Sequence, residues 1–262
     1  MRSLLVLGAA LLCGCSDSAR RTDALARSLD FQKQIETGNG FRHVVYRNAA
    51  VTRDGMLHVY IDGDGTPYRE RDSVAPDPTP RRPLMLRLMA LDSAHSVYLG
   101  RPCYFALYRD PGCRAIFWSL RRYGPEVLDS MEAALLAEIA KAGATRVELF
   151  GHSGGGTLAV LLAQRVNAVT RVVTIGANLD LTAWCDLHHF APLVGSINPV
   201  DERPYRADLE TLHMVGENDM NTPPSLIEAA ANARGESVRV VAHFDHHCCW
   251  ESVWSELLRA EP

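Results

Sequence analysis

After its first fifteen residues the chain has no uninterrupted apolar run near the ~18 residues that a membrane-spanning helix needs, so no later segment is expected to cross a bilayer. It has no basic block either. Its 27 Lys and Arg are interspersed with 31 Asp and Glu, for a formal net charge of -4, and a nucleic-acid partner has no electrostatic support. No Cys-x-x-Cys pair is present. The neighbouring residues His188 and His189, His246 and His247, and Cys248 and Cys249, taken with Cys185, project in different directions, so neither a metal nor another cofactor is expected. No Gly-Lys-Ser or Gly-Lys-Thr follows the glycine-rich stretch at 151–156, which removes a phosphate-loop reading. Internal repeats and low-complexity tracts are absent as well. What remains is ordinary for a folded domain: 262 residues, 47% of them hydrophobic and 22% charged. That length suits one large α/β domain, whose core needs neither metal nor disulfide to hold it.

The N-terminus differs in character. Arg2 precedes a run of apolar and small residues from Leu4 to Cys13, too short to span a bilayer but long enough for a signal-peptide core. The run ends in Leu12-Cys13-Gly14-Cys15, which resembles the lipobox of bacterial lipoproteins, with Cys13 departing from the usual small or apolar choice. The resemblance implies a signal and lipobox over 1–15, lipidation of Cys15 as the first mature residue, and anchoring to the bacterial envelope through that lipid. Ser16 after the cysteine implies the outer membrane, facing the periplasm. The alternative is a plain secretory signal cut near Gly14 or Ser18. Export would permit disulfides. Cys103 and Cys113 flank the turn-rich Tyr108-Arg109-Asp110-Pro111-Gly112, so a loop-closing bridge between them is expected. Cys185, Cys248 and Cys249 leave one cysteine over. A vicinal bridge between the last two and ordinary thiols are both open.

Residues 16–40 read as a tether and a first helix, and 41–262 as the main domain. Phe41–Tyr46, the alternating Leu57–Ile61 and Ser96–Leu99 read as strands, with a Pro-, Asp- and Arg-rich loop over 66–83. In Pro125–Ala142, apolar residues at Val127, Leu128, Met131, Leu135, Leu136 and Ile139 give one buried helical stripe. Strands are expected at Arg146–Phe150, Arg171–Ile175, Leu212–Val215 and Val238–Val241. Helices are expected at Thr157–Val166, Pro223–Arg234 and Glu251–Arg259. Alternation of this kind implies a mostly parallel sheet with helices on both faces, and functional loops at the carboxyl ends of its strands.

Between the strand ending at Phe150 and the following helix lies Gly151-His152-Ser153-Gly154-Gly155, a G-x-S-x-G pentad. A sharp strand-to-helix turn needs small residues beside the serine and projects its hydroxyl at the sheet edge. Ser153 is therefore the candidate nucleophile, and the Gly154 N–H, at the helix N-terminus, is a candidate oxyanion donor. A serine hydroxyl needs a base and the base an orienting carboxylate, in the chain order Ser, acid, His. Asp219 follows the apolar strand in Val215-Gly216-Glu217-Asn218-Asp219 and is the candidate acid, with Glu217 the weaker choice. The base belongs in His243-Phe244-Asp245-His246-His247-Cys248-Cys249-Trp250. There His246 and His247 compete, with His243 further off, and spacing alone does not choose. Tyr123, before the long helix, reads as structural.

With these residues in view, the chain resembles the α/β-hydrolase superfamily and, more narrowly, exported bacterial hydrolases of unassigned substrate. The matching stretches are 60–65 (Tyr-Ile-Asp-Gly-Asp-Gly), 99–103, 151–155, 176–180, 195–199 and Asp245-His246-x-Cys248-Cys249-Trp250. The resemblance implies an α/β-hydrolase fold with a short cap insertion, cap-like over 181–205, and it places the base at His246. It also places 61–65 where an oxyanion loop belongs, so that a backbone donor from Asp64 or Gly63 would complement Gly154. A carboxylate at Asp64 is unfavourable there unless it points away. His152, Trp184 and Leu193, with Val194, could line an acyl pocket, or the cap residues could pack onto the core. The expected activity is hydrolysis of an ester, or of a thioester or amide, on a small acyl substrate through an acyl-enzyme. The alternative is a non-catalytic envelope lipoprotein that binds a ligand or partner on a hydrolase scaffold.

Overall fold

Successive side chains on a strand point to opposite faces of the sheet, and in this chain both faces are apolar. The computed structural model describes residues 17–70, 73–202 and 205–258. The segment 1–15 with Cys15 lies outside them. The order is α1 (Asp17–Ser28), β1 (Gln32–Thr37), β2 (Arg42–Arg47), β3 (Met56–Ile61), β4 (Tyr68–Glu70), β5 (Ser73–Val74), α2 (Leu84–Met89) and β6 (Ser96–Leu99). There follow α3 (Pro125–Ala142), β7 (Arg146–His152), α4 (Gly154–Ala163), β8 (Val169–Ile175), α5 (Leu181–His188), β9 (Glu210–Gly216), α6 (Pro224–Arg234), β10 (Ser237–Val241) and α7 (Glu251–Leu257).

Eight strands form one sheet in the order β1-β2-β6-β3-β7-β8-β9-β10, and β4 and β5 form a small antiparallel pair. β1 with β2 and β2 with β6 are antiparallel; every other pair in the large sheet is parallel. The alternation sorts side chains into two cores. Val45, Val59, Leu149 and Val172 face α3, α4 and α6, through Met131, Leu158 and Ile227 among others. Their neighbours Tyr46, Tyr60, Phe150 and Val173 face α1, α2 and α7, through Ala26, Leu86 and Trp254. Tyr60, Phe150 and Trp254 pack ring on ring, with the first two stacked at 4.8 Å between centroids. Helices thus cover both faces of a mostly parallel sheet, as the alternation of apolar segments predicts.

Three elements escape the periodicity argument. β1 is an edge strand, almost wholly exposed, in the stretch 16–40 read as tether and helix; its polar Gln-Lys-Gln-Ile-Glu-Thr carries no apolar alternation. β4 and β5 are too short to register inside a loop. α2 is buried nearly all round, so its six residues show no amphipathic period. Leu136, counted in the apolar stripe of α3, is 47% exposed, because the stripe that meets the sheet follows Val127, Leu128, Met131, Ala134 and Leu135. No helix among the described residues is long and apolar enough to cross a membrane.

Cys103 and Cys113 are bridged (S–S 2.06 Å) and close a loop of ten-residue separation. Cys248 and Cys249 form a vicinal bridge, and Cys185 is a buried free thiol. Closing a loop of this length limits the unfolded chain by about 3 kcal/mol. The double variant Cys103→Ser, Cys113→Ser is therefore expected to lose about that much stability in urea denaturation, and an unchanged midpoint would refute the loop-closure account.

Candidate active site

The carboxyl ends of β3, β7, β8, β9 and β10 lie side by side, so the loops that leave them meet at one edge of the sheet. At the end of β7 the chain turns straight into α4, and Ser153, the connecting residue, has φ 51° and ψ -124°. A non-glycine side chain in this region is strained, and the turn is held by Ser153 N–H donating to Ile175 O at 2.8 Å. α4 then runs Gly154-Gly155-Gly156 beneath the turn, with every residue buried.

Asp219 follows β9. It is 1% exposed, and its carboxylate accepts from four donors. His246 Nδ1 lies 2.7 Å from Oδ2, Thr222 Oγ1 3.2 Å from Oδ2, and the N–H groups of Asn221 and Thr222 at 2.9 and 2.8 Å from Oδ1. Burial alone would raise the Asp219 carboxyl, but the His246 bond and these backbone donors hold it below its ordinary value. An ionised Asp219 fixes the proton of His246 on Nδ1 and leaves Nε2 as an acceptor. Gly176, at φ 54°, passes directly beneath this pair. A Cβ there would stand 2.8 Å from Asp219 Oδ2 and 2.9 Å from His246 Nδ1, so only glycine lets the end of β8 approach.

Burial pushes the His246 imidazole down from its ordinary value, His152 adds to the fall, and the Asp219 bond opposes it. Nε2 of His246 faces the Asn221 side-chain amide at 3.1 Å. Among the described residues Ser153 Oγ makes no hydrogen bond to His246. His247 meets His246 edge to face with ring centroids 5.0 Å apart, and Asp219 bonds His246 rather than His247. His243 points outward, its side chain 93% exposed, toward the half-exposed Glu217.

His152 does not open into a cavity. It is 4% exposed, its Nε2 donates to the carbonyl of His246 at 2.8 Å, and its Nδ1 lies 3.7 Å from Asp62 Oδ1. It supports the histidine loop from below. Within that loop the Asp245 carboxylate accepts from the N–H groups of His247 and Cys248, each at 2.7 Å. Trp250, wholly buried, donates to the Asp245 carbonyl at 3.2 Å.

The loop after β3 lies against the serine: a Cβ on Gly63 would be 3.2 Å from Ser153 Cβ. The Gly63 N–H is taken by the Asp62 side chain at 3.0 Å, whereas the N–H groups of Asp64 and Gly154 make no hydrogen bond among the described residues. The Asp64 carboxylate does not point away from them. It sits over Gly154, where an added Cβ would collide with Asp64 Oδ1 and the Tyr123 hydroxyl. The buried guanidiniums of Arg101 and Arg122 both pair with it, Arg122 at 2.7 Å, and Tyr123 donates to it at 2.7 Å. Burial by itself would raise this carboxyl, but Arg122 and Arg101, helped by hydrogen bonds from Arg122 and Tyr123, hold it well below the usual carboxylate range. Sequence reasoning missed both arginines. The only signal was the placement of Arg101 in the 99–103 stretch, and nothing marked Arg122.

The segment after β8 forms the rim. Asp180 caps α5, accepting from Thr182 and Ala183 N–H at 3.0 and 3.1 Å. Asn198 accepts from Leu181 N–H at 2.8 Å and donates to Asp180 at 3.2 Å, which joins the stretches 176–180 and 195–199. Trp184 Nε1 and His188 Nε2 reach the carbonyl of Asn221 at 3.0 and 2.7 Å. Leu193 packs, partly buried, on the core under α3 and α4. Exposed apolar side chains follow along this segment and the acid loop: Leu187 50%, Phe190 45%, Val194 69% and Met220 82%. Among the described residues no group of His, Cys, Asp or Glu is arranged to hold a metal ion.

No protein-family model matches the chain, and no curated protein is similar to it. Solved structures are. A bacterial membrane phospholipase A described as a virulence factor superposes with TM-score 0.56 at 15% identity, over 91% of this chain and 86% of that one. A lidless α/β serine hydrolase from Xanthomonas campestris superposes with TM-score 0.58 at 10% identity, over 88% and 97%. A puromycin-hydrolyzing peptidase from Mycobacterium tuberculosis gives TM-score 0.59 at 15% identity, over 87% of this chain but 38% of the peptidase. These similarities establish the fold, which is that of the α/β-hydrolases.

Removing the carboxylate from the Asp64 cluster would leave two buried guanidiniums without their partner, a loss of the kind that costs about 3–5 kcal/mol. Asp64→Leu is expected to lower the free energy of unfolding by that order, measured by chemical denaturation at pH 7. A variant as stable as the parent would show that the cluster does not hold the loop.

Proposed function

We propose that the protein is a serine hydrolase that cleaves an ester-type bond of an apolar acyl substrate, a carboxylesterase in its simplest form. The observation that carries this reading is the Asp219–His246 hydrogen bond beside a serine held at a strained strand-to-helix turn. Ser153 Oγ attacks the carbonyl carbon as His246 Nε2 takes its proton. The N–H groups of Gly154 and Asp64 receive the developing oxyanion; Gly63, whose N–H is already engaged, does so no longer in this scheme. His246 returns the proton to the leaving alcohol, and water repeats the sequence on the acyl-enzyme. Asp219 stabilises the imidazolium without itself taking the proton. The arginines neutralise Asp64, which removes most of the repulsion its carboxylate would exert on an oxyanion.

The exposed Leu187, Phe190, Val194 and Met220 at the rim favour an apolar acyl group, and Trp184 bonds the carbonyl of Asn221, whose side chain meets the base. The fold neighbours include a phospholipase and a peptidase; thioester and amide hydrolysis use the same parts. One observation favours a second reading, a binding protein on a hydrolase scaffold: Nε2 of His246 is engaged by Asn221 instead of Ser153.

A fluorophosphonate separates the two. Label is expected on Ser153, mapped by peptide mass spectrometry, and is expected to vanish in Ser153→Ala and fall at least a hundredfold in His246→Ala. Because the competent base is neutral and its pKa is depressed by burial, the labelling rate is expected to rise with pH through a midpoint below the ordinary histidine value of about 6.5. A folded protein that takes no label is a binding module.

We also propose that Cys15 carries a lipid that holds the protein to the bacterial envelope, at the outer membrane. Mass spectrometry of the mature N-terminal peptide is expected to find acylated Cys15; a free N-terminus after cleavage elsewhere would replace the anchor with plain secretion.

A further inference from the structure

The Asn221 side chain has no place in the chemistry above, yet it occupies the atom on which that chemistry depends. With Asp219 ionised, the His246 proton stays on Nδ1 and Nε2 offers a lone pair. Asn221 Nδ2, at 3.1 Å, is a donor aimed at it. A lone pair that accepts from an amide does not at the same time accept from a serine hydroxyl. We propose that Asn221 is a positioning residue that competes with Ser153 for Nε2 of His246 and holds the base in reserve, with its own place set by Trp184 and His188 of the rim helix. The proposal rests on the serine-hydrolase reading and adds a control to it.

The connections support the assignment. The backbone of Asn221 is pinned at both ends: its N–H donates to Asp219 Oδ1 at 2.9 Å, and its carbonyl accepts from Trp184 Nε1 and His188 Nε2 at 3.0 and 2.7 Å. Trp184, His188 and Phe190 pack ring on ring, with centroids 5.2 to 5.4 Å apart. Phe190 is 45% exposed and Met220, next to Asn221, 82% exposed. An apolar group that settles on this rim therefore presses on the two donors that hold the Asn221 carbonyl. When the amide swings away, Ser153 takes its place at Nε2. No bond is made or broken, and only the hydrogen-bond partner of Nε2 changes.

The side-chain amide can be removed without touching the backbone contacts, so Asn221→Ala isolates it. The titratable groups that face His246 are Asp219 from the end of β9, His152 from the end of β7 with Asp62 behind it, and Asp245 and His247 from its own loop; His188 of α5 reaches only the Asn221 carbonyl. All of them persist in the variant. A hydrogen bond of ordinary net strength is worth about fivefold in an equilibrium. Asn221→Ala is therefore expected to raise the plateau rate of fluorophosphonate labelling about fivefold. It is also expected to move the His246 titration, followed by ¹⁵N NMR of histidine-labelled protein, up by about 0.7 pH unit. Trp184→Phe, which deletes one donor to the Asn221 carbonyl and keeps a ring, is expected to shift both in the same direction by less. A His246 midpoint that stays put or falls in Asn221→Ala would overturn the proposal, and so would a shifted midpoint with an unchanged or lower plateau. Absence of label in parent and variant alike would sink the serine-hydrolase reading, and the competition with it, whereas label on the parent with no gain in the variant sinks the competition alone.

Discussion

The carboxyl edge of the sheet is organised around one buried charge. Asp219 leaves β9 almost without solvent, and a carboxylate so placed must be fully hydrogen-bonded or neutral. It is hydrogen-bonded, by two backbone N–H groups, a threonine hydroxyl and an imidazole. Those four bonds set the course of the loop after β9, bring in the loop after β10, and define which nitrogen of His246 carries the proton. Gly176 is the matching constraint from β8, since any side chain there would enter the same space. Placement of His246 thus follows from satisfying Asp219.

A second carboxylate shows the same economy on the other side of the serine. Asp64 lies over Gly154, at the N-terminus of α4. Two buried arginines and a tyrosine surround it, so the cluster as a whole carries no excess negative charge. Arg101 comes from the chain just after β6 and Arg122 from the approach to α3, so this small network ties the β3 loop to two distant parts of the chain. Arg122 is itself held by its neighbour's backbone, Nε to the Ser119 carbonyl at 2.6 Å, and Arg101 reaches the Arg122 carbonyl at 2.8 Å. The loop after β3 is thus tied down by the groups that compensate its charge.

The segment between β8 and β9 joins these two centres. Asn198 and Asp180 tie its ends together, Ser196 bonds the Leu120 carbonyl at 2.7 Å beside Tyr123, and Trp184 and His188 bond Asn221. Its outward surface is apolar where it borders the acid loop. It touches the surroundings of the Asp64 cluster on one flank and Asn221 on the other.

The amino-acid sequence determined the layers and the chain order of the candidate residues Ser153, Asp219 and His246. Strands buried on both faces need long apolar runs, helices between them need a period near 3.6, and a serine at a sharp turn needs flanking glycines; each leaves a local mark, as in Leu57–Ile61, Pro125–Ala142 and Gly151–Gly155. The polar edge strand β1 and the wholly buried α2 leave none, because neither separates an apolar from a polar face. Tertiary structure decided which groups meet. Asp219 bonding His246 rather than His247, His152 turned under the base loop, Arg101 and Arg122 converging on Asp64, and Asn221 reaching Nε2 all join residues far apart in the chain. Their hydrogen bonds are fixed by loop geometry at the edge of the sheet, and that geometry exists only once the strands have paired.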